Sequence, residues 1–136
     1  MLELAQAVLQ SQAFSVLLNA KITSFSTDLV ELRLPITEQI KQQHGFVHGG
    51  VLSYAADNAL TFAGGAALGP AIVTSEFKIN YLRPAQGDEL IARAKVIHAG
   101  KNQAVCQCQV FVVCDGEELL CALAQGTIAT LGQSKS

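Results

Sequence analysis

Apolar side chains recur at two different periods along this chain. From Leu2 to Leu18 they fall at helical spacing, at Leu4, Val8 and Leu9 and again at Phe14, Leu17 and Leu18, which predicts a helix or two short helical turns. From Thr27 to Leu34 the period shortens to two. Val30, Leu32 and Leu34 share one face and Asp28, Glu31 and Arg33 lie largely on the other, the signature of a half-buried strand that Pro35 helps to end. Val51 to Leu68 is built from Ala55, Ala56, Ala59, Ala63, Ala66 and Ala67 with Leu52, Leu60 and Phe62 among them. Alanine and leucine are strong helix formers. Apolar positions all round the wheel mark a buried helix rather than an amphipathic one.

After Pro70 the period of two returns. Phe77, Ile79 and Tyr81 alternate with Glu76, Lys78 and Asn80 in a strand over Thr74–Tyr81, and Pro84 and Gly87-Asp88 turn the chain. Further strands are expected over Glu89–His98, Gln103–Cys114 and Glu118–Thr130, with a short polar tail over Leu131–Ser136. Asp115-Gly116 is the strongest hairpin signal, the pair favoured in a two-residue type I′ turn. The order is helix, strand, long buried helix, then four strands joined by short turns. That order predicts one α+β domain over residues 1–136, with the long helix against the concave face of a curled antiparallel sheet.

Composition narrows the possibilities. Half of the 136 residues are hydrophobic and the formal net charge is −2, which speaks against disorder and against nucleic acid as the main partner. A mean hydropathy of +0.34 calls either for a membrane or for apolar surface buried between subunits. The longest weakly polar stretch, Gly49 to Ile72, is interrupted by Ser53, Asp57, Asn58 and six glycines or prolines, so no spanning helix is expected. Met1–Ala13 carries Glu3 and no basic residue, so a cytoplasmic homo-oligomer is expected. Cys106, Cys108, Cys114 and Cys121 form no CxxC pair. Metal and redox motifs are therefore unsupported, and Cys106 and Cys108, two apart on one face of a strand, read as small buried apolar residues.

One residue does not fit this apolar pattern. Asp57 is the only ionisable side chain in the long helix, and Ser53, Asp57 and Thr61, four apart, form one polar stripe. Burying a carboxylate is expensive. It is either a structural acid at a solvent-facing or subunit-boundary position, or a functional group. The preceding loop, Gln42 to Gly50, favours function. Its glycines let backbone N–H groups approach a ligand, and the helix start they lead into carries unpaired N–H groups and the positive end of the dipole. Such groups hold a developing oxyanion. Asp57 lies eight residues beyond Gly49, about 12 Å of helix rise. Two copies across an antiparallel axis would set Gly49 of one chain facing Asp57 of the other.

His48-Gly49-Gly50, followed by small residues and then Asp57, resembles the hotdog-fold thioesterases of the phenylacetate-pathway and 4-hydroxybenzoyl-CoA type. The resemblance runs from about Ser26 to Thr130 and takes in Tyr81-Leu82-Arg83-Pro84-Ala85. It implies a long helix wrapped by an antiparallel sheet, dimers sharing two sites, and tetramers in many members. It implies an acyl-CoA substrate with a small aryl or a short- to medium-chain acyl group, and no separate cofactor or metal.

The resemblance also implies roles. Asp57 would be the catalytic acid, as nucleophile or as base for water, and Gly49 would supply the oxyanion N–H, with Gly50 beside it at the substrate. Gln42 would polarise the carbonyl or place water, and His48 would support the loop and the leaving thiolate. Thr61 would orient water or the acid, a task that some members give to a hydroxyl on the next strand, where Thr74 stands. Arg83, Lys101 and Asn102 would hold the coenzyme A phosphates, in many members across subunits. His44 and His98 read as structural. The helix acid is Asp where many members have Glu.

Two other functions compete. A hotdog dehydratase would need a proline in the histidine loop, and Phe46-Val47-His48-Gly49-Gly50 has none. A non-catalytic acyl-CoA binding module would bind thioester without hydrolysing it. Taken alone, His48 reads as a loop hydrogen-bonder, Gln42 and Thr61 as ordinary polar positions, and Arg83 and Lys101 as solvated charges.

Overall fold

In the computed structural model, residues 1–132 are described. Beyond Gly132, the expected polar tail lies outside the described residues. The N-terminal segment forms two short helices, α1 (Leu2–Gln10) and α2 (Ala13–Leu17). Two strands follow, β1 (Lys21–Phe25) and β2 (Val30–Pro35), then a 3-10 turn at Glu38–Ile40. The long helix α3 covers Gly49–Leu68. The remaining strands are β3 (Ile72–Tyr81), β4 (Glu89–Ala99), β5 (Gln103–Cys114) and β6 (Glu117–Thr130).

The six strands form one antiparallel sheet in the order β1-β2-β4-β5-β6-β3, which does not close on itself. Helix α3 touches every strand, so the sheet wraps around it as expected of a hotdog fold. Alternation supplies the inner face. Leu32 and Leu34 of β2, Leu90 and Ala92 of β4, Cys106, Cys108 and Val110 of β5, and Ala124 and Ile128 of β6 are all buried. The helix answers with small residues. Ala55, Ala56, Ala59 and Ala63 are fully buried. Gly64 lies so near β6 that a Cβ there would stand 2.5 Å from Ile128, closer than two carbon atoms can pack.

Two local signals meet their expected structures. Asp115 and Gly116 both have positive φ, 52° and 78°, as a type I′ turn between β5 and β6 requires. Cys106, Cys108 and Cys121 are buried as free thiols. Burial pushes their pKa values up to about 11, 12 and 11, so they remain protonated and unreactive near neutrality. Among the described residues no helix is long and apolar enough to cross a membrane.

The differences are instructive. Strand β1 has no counterpart in the sequence reading because only Ile22 of its five residues is buried, too short a pattern for alternation to register. It is held by pairing with β2. The N-terminal apolar stripe divides in two. Ala5, Leu9 and Leu18 enter the core, whereas Leu4, Val8, Phe14 and Leu17 stay exposed.

Candidate active site at the seam between helix and edge strand

The polar stripe of α3 faces β3, the last strand of the sheet. The Oγ1 hydroxyl of Thr74 donates to Asp57 Oδ1 at 2.8 Å. Thr61 Oγ1 lies 2.7 Å from the backbone carbonyl of Asp57 and 3.0 Å from Thr74 Oγ1. Each hydroxyl carries one proton. The Thr74 proton is committed to the carboxylate and the Thr61 proton serves either the helix carbonyl or Thr74. Thr61 therefore acts on the carboxylate only through Thr74. Asp57 Oδ2 has no hydrogen-bond partner among the described residues and is free to act on a ligand.

Alternation alone would turn Thr74 away from the helix, on the side of Glu76 and Lys78. A bulge between Thr74 and Glu76 in the pairing with β6 changes the parity. The extra residue lets Thr74 and Phe77 face α3 together, as bulges do when they re-aim a side chain. Sequence reasoning reached Thr74 by resemblance and had no local signal for the bulge.

One turn before Asp57 the stripe continues to Ser53, whose Oγ lies 2.6 Å from Tyr81 Oη. Tyr81 Oη also approaches the carbonyl of Gly49 at 3.2 Å. Tyr81 thus marks the helix start, a place its alternation with Phe77 and Ile79 did not reveal. The helix begins at Gly49, two residues before the expected Val51, because His48 caps it. The extended backbone of His48 (φ −59°, ψ 134°) leads in, and Nδ1 accepts the Gly50 N–H at 2.9 Å. The His48 and Gly50 groups thereby satisfy each other. The Gly49 N–H has no acceptor among the described residues and stands at the positive end of a 20-residue helix. The loop is closed by the Gln42 N–H donating to the Phe46 carbonyl at 2.8 Å. Gln42 Oε1 accepts the His44 N–H, which leaves the amide NH2 of Gln42 as its available donor. Gln42, Phe46, Gly49, Leu82 and Arg83 border one groove of about 380 Å³.

The expected site residues thus form two clusters within a chain. Asp57, Thr61 and Thr74 meet at one end of β3; Gln42, His48, Gly49, Gly50 and Arg83 gather at the other. Lys101 and Asn102 stand apart from Arg83. Their turn lies beside Thr130, whose N–H donates to the Asn102 carbonyl at 3.0 Å, and Thr130 pairs with Ile72 at the far end of the strand that leads to Arg83. Nine residues of strand separate those ends, about 30 Å.

The thioesterase superfamily profile matches residues 44–118, from the histidine loop through β3, β4 and β5 to the start of β6. The acyl-coenzyme A thioesterase PaaI of Escherichia coli K12 is 34% identical over 102 residues, 74% of this chain and 72% of its own. The 1,4-dihydroxy-2-naphthoyl-CoA hydrolase of Listeria monocytogenes is 28% identical over 117 residues, 85% of this chain and 93% of its own. The crystal structure of a thioesterase family protein from Silicibacter pomeroyi superposes with a TM-score of 0.88 at 32% identity, covering 93% of this chain and 95% of that one. The chain belongs to the thioesterase superfamily and is a thioester hydrolase.

Proposed function

We propose that this protein hydrolyses acyl-CoA thioesters carrying a small aryl or a short- to medium-chain acyl group, in a site assembled from two copies of the chain. The observation that carries this reading is the free Oδ2 of Asp57, held in place through Oδ1 by Thr74. Gly49, whose N–H is unpaired, lies eight residues away on the same helix, about 12 Å, too far to grip the carbonyl that Asp57 addresses. Strand β3 is a sheet edge, and Val73, Tyr81 and Leu82 along it are about half exposed. An antiparallel pairing of two β3 strands with Thr74 opposite Tyr81 lays the Gly49 end of one helix against the Asp57 end of the other. It also carries Arg83 of one chain towards Lys101 and Asn102 of its partner, so that all three reach one set of coenzyme A phosphates.

In this site the Gly49 N–H stabilises the oxyanion as the carbonyl is attacked. The attacking oxygen is either Asp57 Oδ2 itself or a water from which Oδ2 takes the proton. Either way the C–S bond breaks, the sulfur leaves as thiolate, and one water is consumed to give free acid and thiol. The Gln42 amide donates to the carbonyl or to water, and His48 holds the loop through Gly50. No separate cofactor is needed, because coenzyme A enters as part of the substrate. Three buried thiols suit a reducing compartment such as the cytoplasm.

Subunit mixing tests the arrangement. Gly49→Pro removes the N–H at the first helical position, where proline is tolerated and the extended His48 can precede it. Gly49→Pro and Asp57→Asn homo-oligomers are each expected to be nearly inactive on an aryl- and straight-chain acyl-CoA panel followed by thioester absorbance. Mixed and re-annealed in equal amounts, half the dimers hold one intact site, so about a quarter of wild-type turnover is expected to return. Absence of recovery with confirmed hetero-oligomers would refute the shared site. An unperturbed rate in Asp57→Asn alone would refute the catalytic carboxylate.

A further inference from the structure

We propose that the acyl group is received in the cavity between α1 and the C-terminal half of α3, and that Leu4 and Val8 set the length it accepts. The proposal rests on the reading of Asp57 as the group that acts on the thioester. The cavity holds about 280 Å³, near the lower limit of small-ligand pockets. Thr61 connects it to the carboxylate. The same Thr61 that lines this space lies 3.0 Å from the Thr74 hydroxyl bonded to Asp57. One more turn along the helix, the Ser53–Asp57–Thr61 stripe reaches Gly65, where a side chain is missing. A Cβ there would meet only Ile72 Cδ1, at 3.3 Å. Gly65 and Ile72 both line the cavity, so the stripe that begins with hydroxyls and a carboxylate ends at its apolar wall.

The outer wall is fixed. Helix α1 buries Ala5 and Leu9 in the core. The amides of Gln6 and Gln10 donate to the Ile22 and Ala20 carbonyls at 2.9 and 3.2 Å. Its other face presents Leu4 and Val8 to the cavity, yet they remain 59% and 42% exposed. Such apolar area gains from an apolar occupant. Among the described residues no Asp, Glu, Lys, Arg or His side chain lines the cavity, its polar side chains are Thr61 and Gln12, and the Met1 that borders it has its terminal ammonium 3.7 Å from the Glu3 carboxylate. Gln12 already accepts the Ser15 hydroxyl at 2.6 Å. An uncharged hydrocarbon acyl group fits this apolar lining.

Binding of non-hydrolysable S-alkyl-CoA thioethers of increasing chain length, measured calorimetrically on the whole oligomer, tests the proposal. Affinity is expected to rise about fourfold per methylene and then reach a plateau where the cavity is full. Val8→Trp is expected to move the plateau to shorter chains and Leu4→Ala to longer ones. Leu17→Trp, which places the same indole on α2 outside the cavity, is expected to leave it in place. A plateau unmoved in both α1 variants, with circular dichroism unchanged, overturns the proposal even if thioesters are hydrolysed. A plateau that moves while no thioester is turned over supports the pocket and refutes the catalytic reading of Asp57.

Discussion

Two carboxylates of this protein, Glu31 on the outer face of the sheet and Asp57 at the helix seam, have opposite surroundings. Both oxygens of Glu31 are engaged. Thr23 Oγ1 and Arg33 Nε bond Oε1 at 2.6 and 3.2 Å, and Arg93 Nε bonds Oε2 at 2.8 Å. Arg93 is itself paired with both oxygens of Glu118 and lies over the Phe111 ring. Burial pushes the Glu31 carboxyl up, but the bonds from Thr23, Arg93 and Arg33 outweigh it and bring its pKa down to about 2. Asp57 has one hydroxyl on one oxygen and, among the described residues, a second oxygen unengaged. A carboxylate held at both oxygens by cations ties β2, β4 and β6 together, with neither oxygen free of a partner. One that is only half satisfied retains a lone pair for a reacting atom.

The contrast is sharpened first by Asp57→Asn, which is expected to lower kcat on the order of 10³-fold while leaving the urea midpoint nearly unchanged. Next, Thr74→Val removes the only hydrogen bond to the Asp57 carboxylate among the described residues. A bond to a charged group contributes roughly 1.5–3 kcal/mol, so turnover is expected to fall about 10- to 100-fold with little effect on KM in steady-state kinetics. Glu31→Gln should act the other way, on stability and not on turnover. The depressed pKa of Glu31 means that its contribution is complete above the ordinary carboxylate range and is lost as pH falls towards 2. Urea titrations should therefore show the variant about 2 kcal/mol less stable at pH 7, with the gap to wild type narrowing below about pH 4.5. A gap independent of pH would show that the ion network does not stabilise the sheet. The smallest effect is expected from Ser53→Ala, which loses a half-exposed bond to Tyr81. Turnover should change less than about fivefold, and a larger loss would extend the reactive group to Ser53.

The sequence by itself determined the elements that arise from neighbours along the chain. The alanine-rich run made a buried helix, period-two runs made β2 to β6, and Asp115-Gly116 made the turn. Asp57 stood out as the one charge in an apolar helix, and the glycine loop before that helix pointed to unpaired N–H groups at its start. These features are legible because periodicity and capping act over three or four residues. Tertiary structure decided which groups meet across elements. Only the bulge after Thr74 settles that this hydroxyl, rather than Thr61, reaches the carboxylate. Only the strand order makes β3 an edge and holds Arg83 away from Lys101 within one chain. Packing against β1 alone divides the α1 stripe into a buried row and a row that faces a cavity. Each of these depends on register between segments far apart in sequence. A shift of one residue reverses the faces of a strand, and no local pattern encodes it.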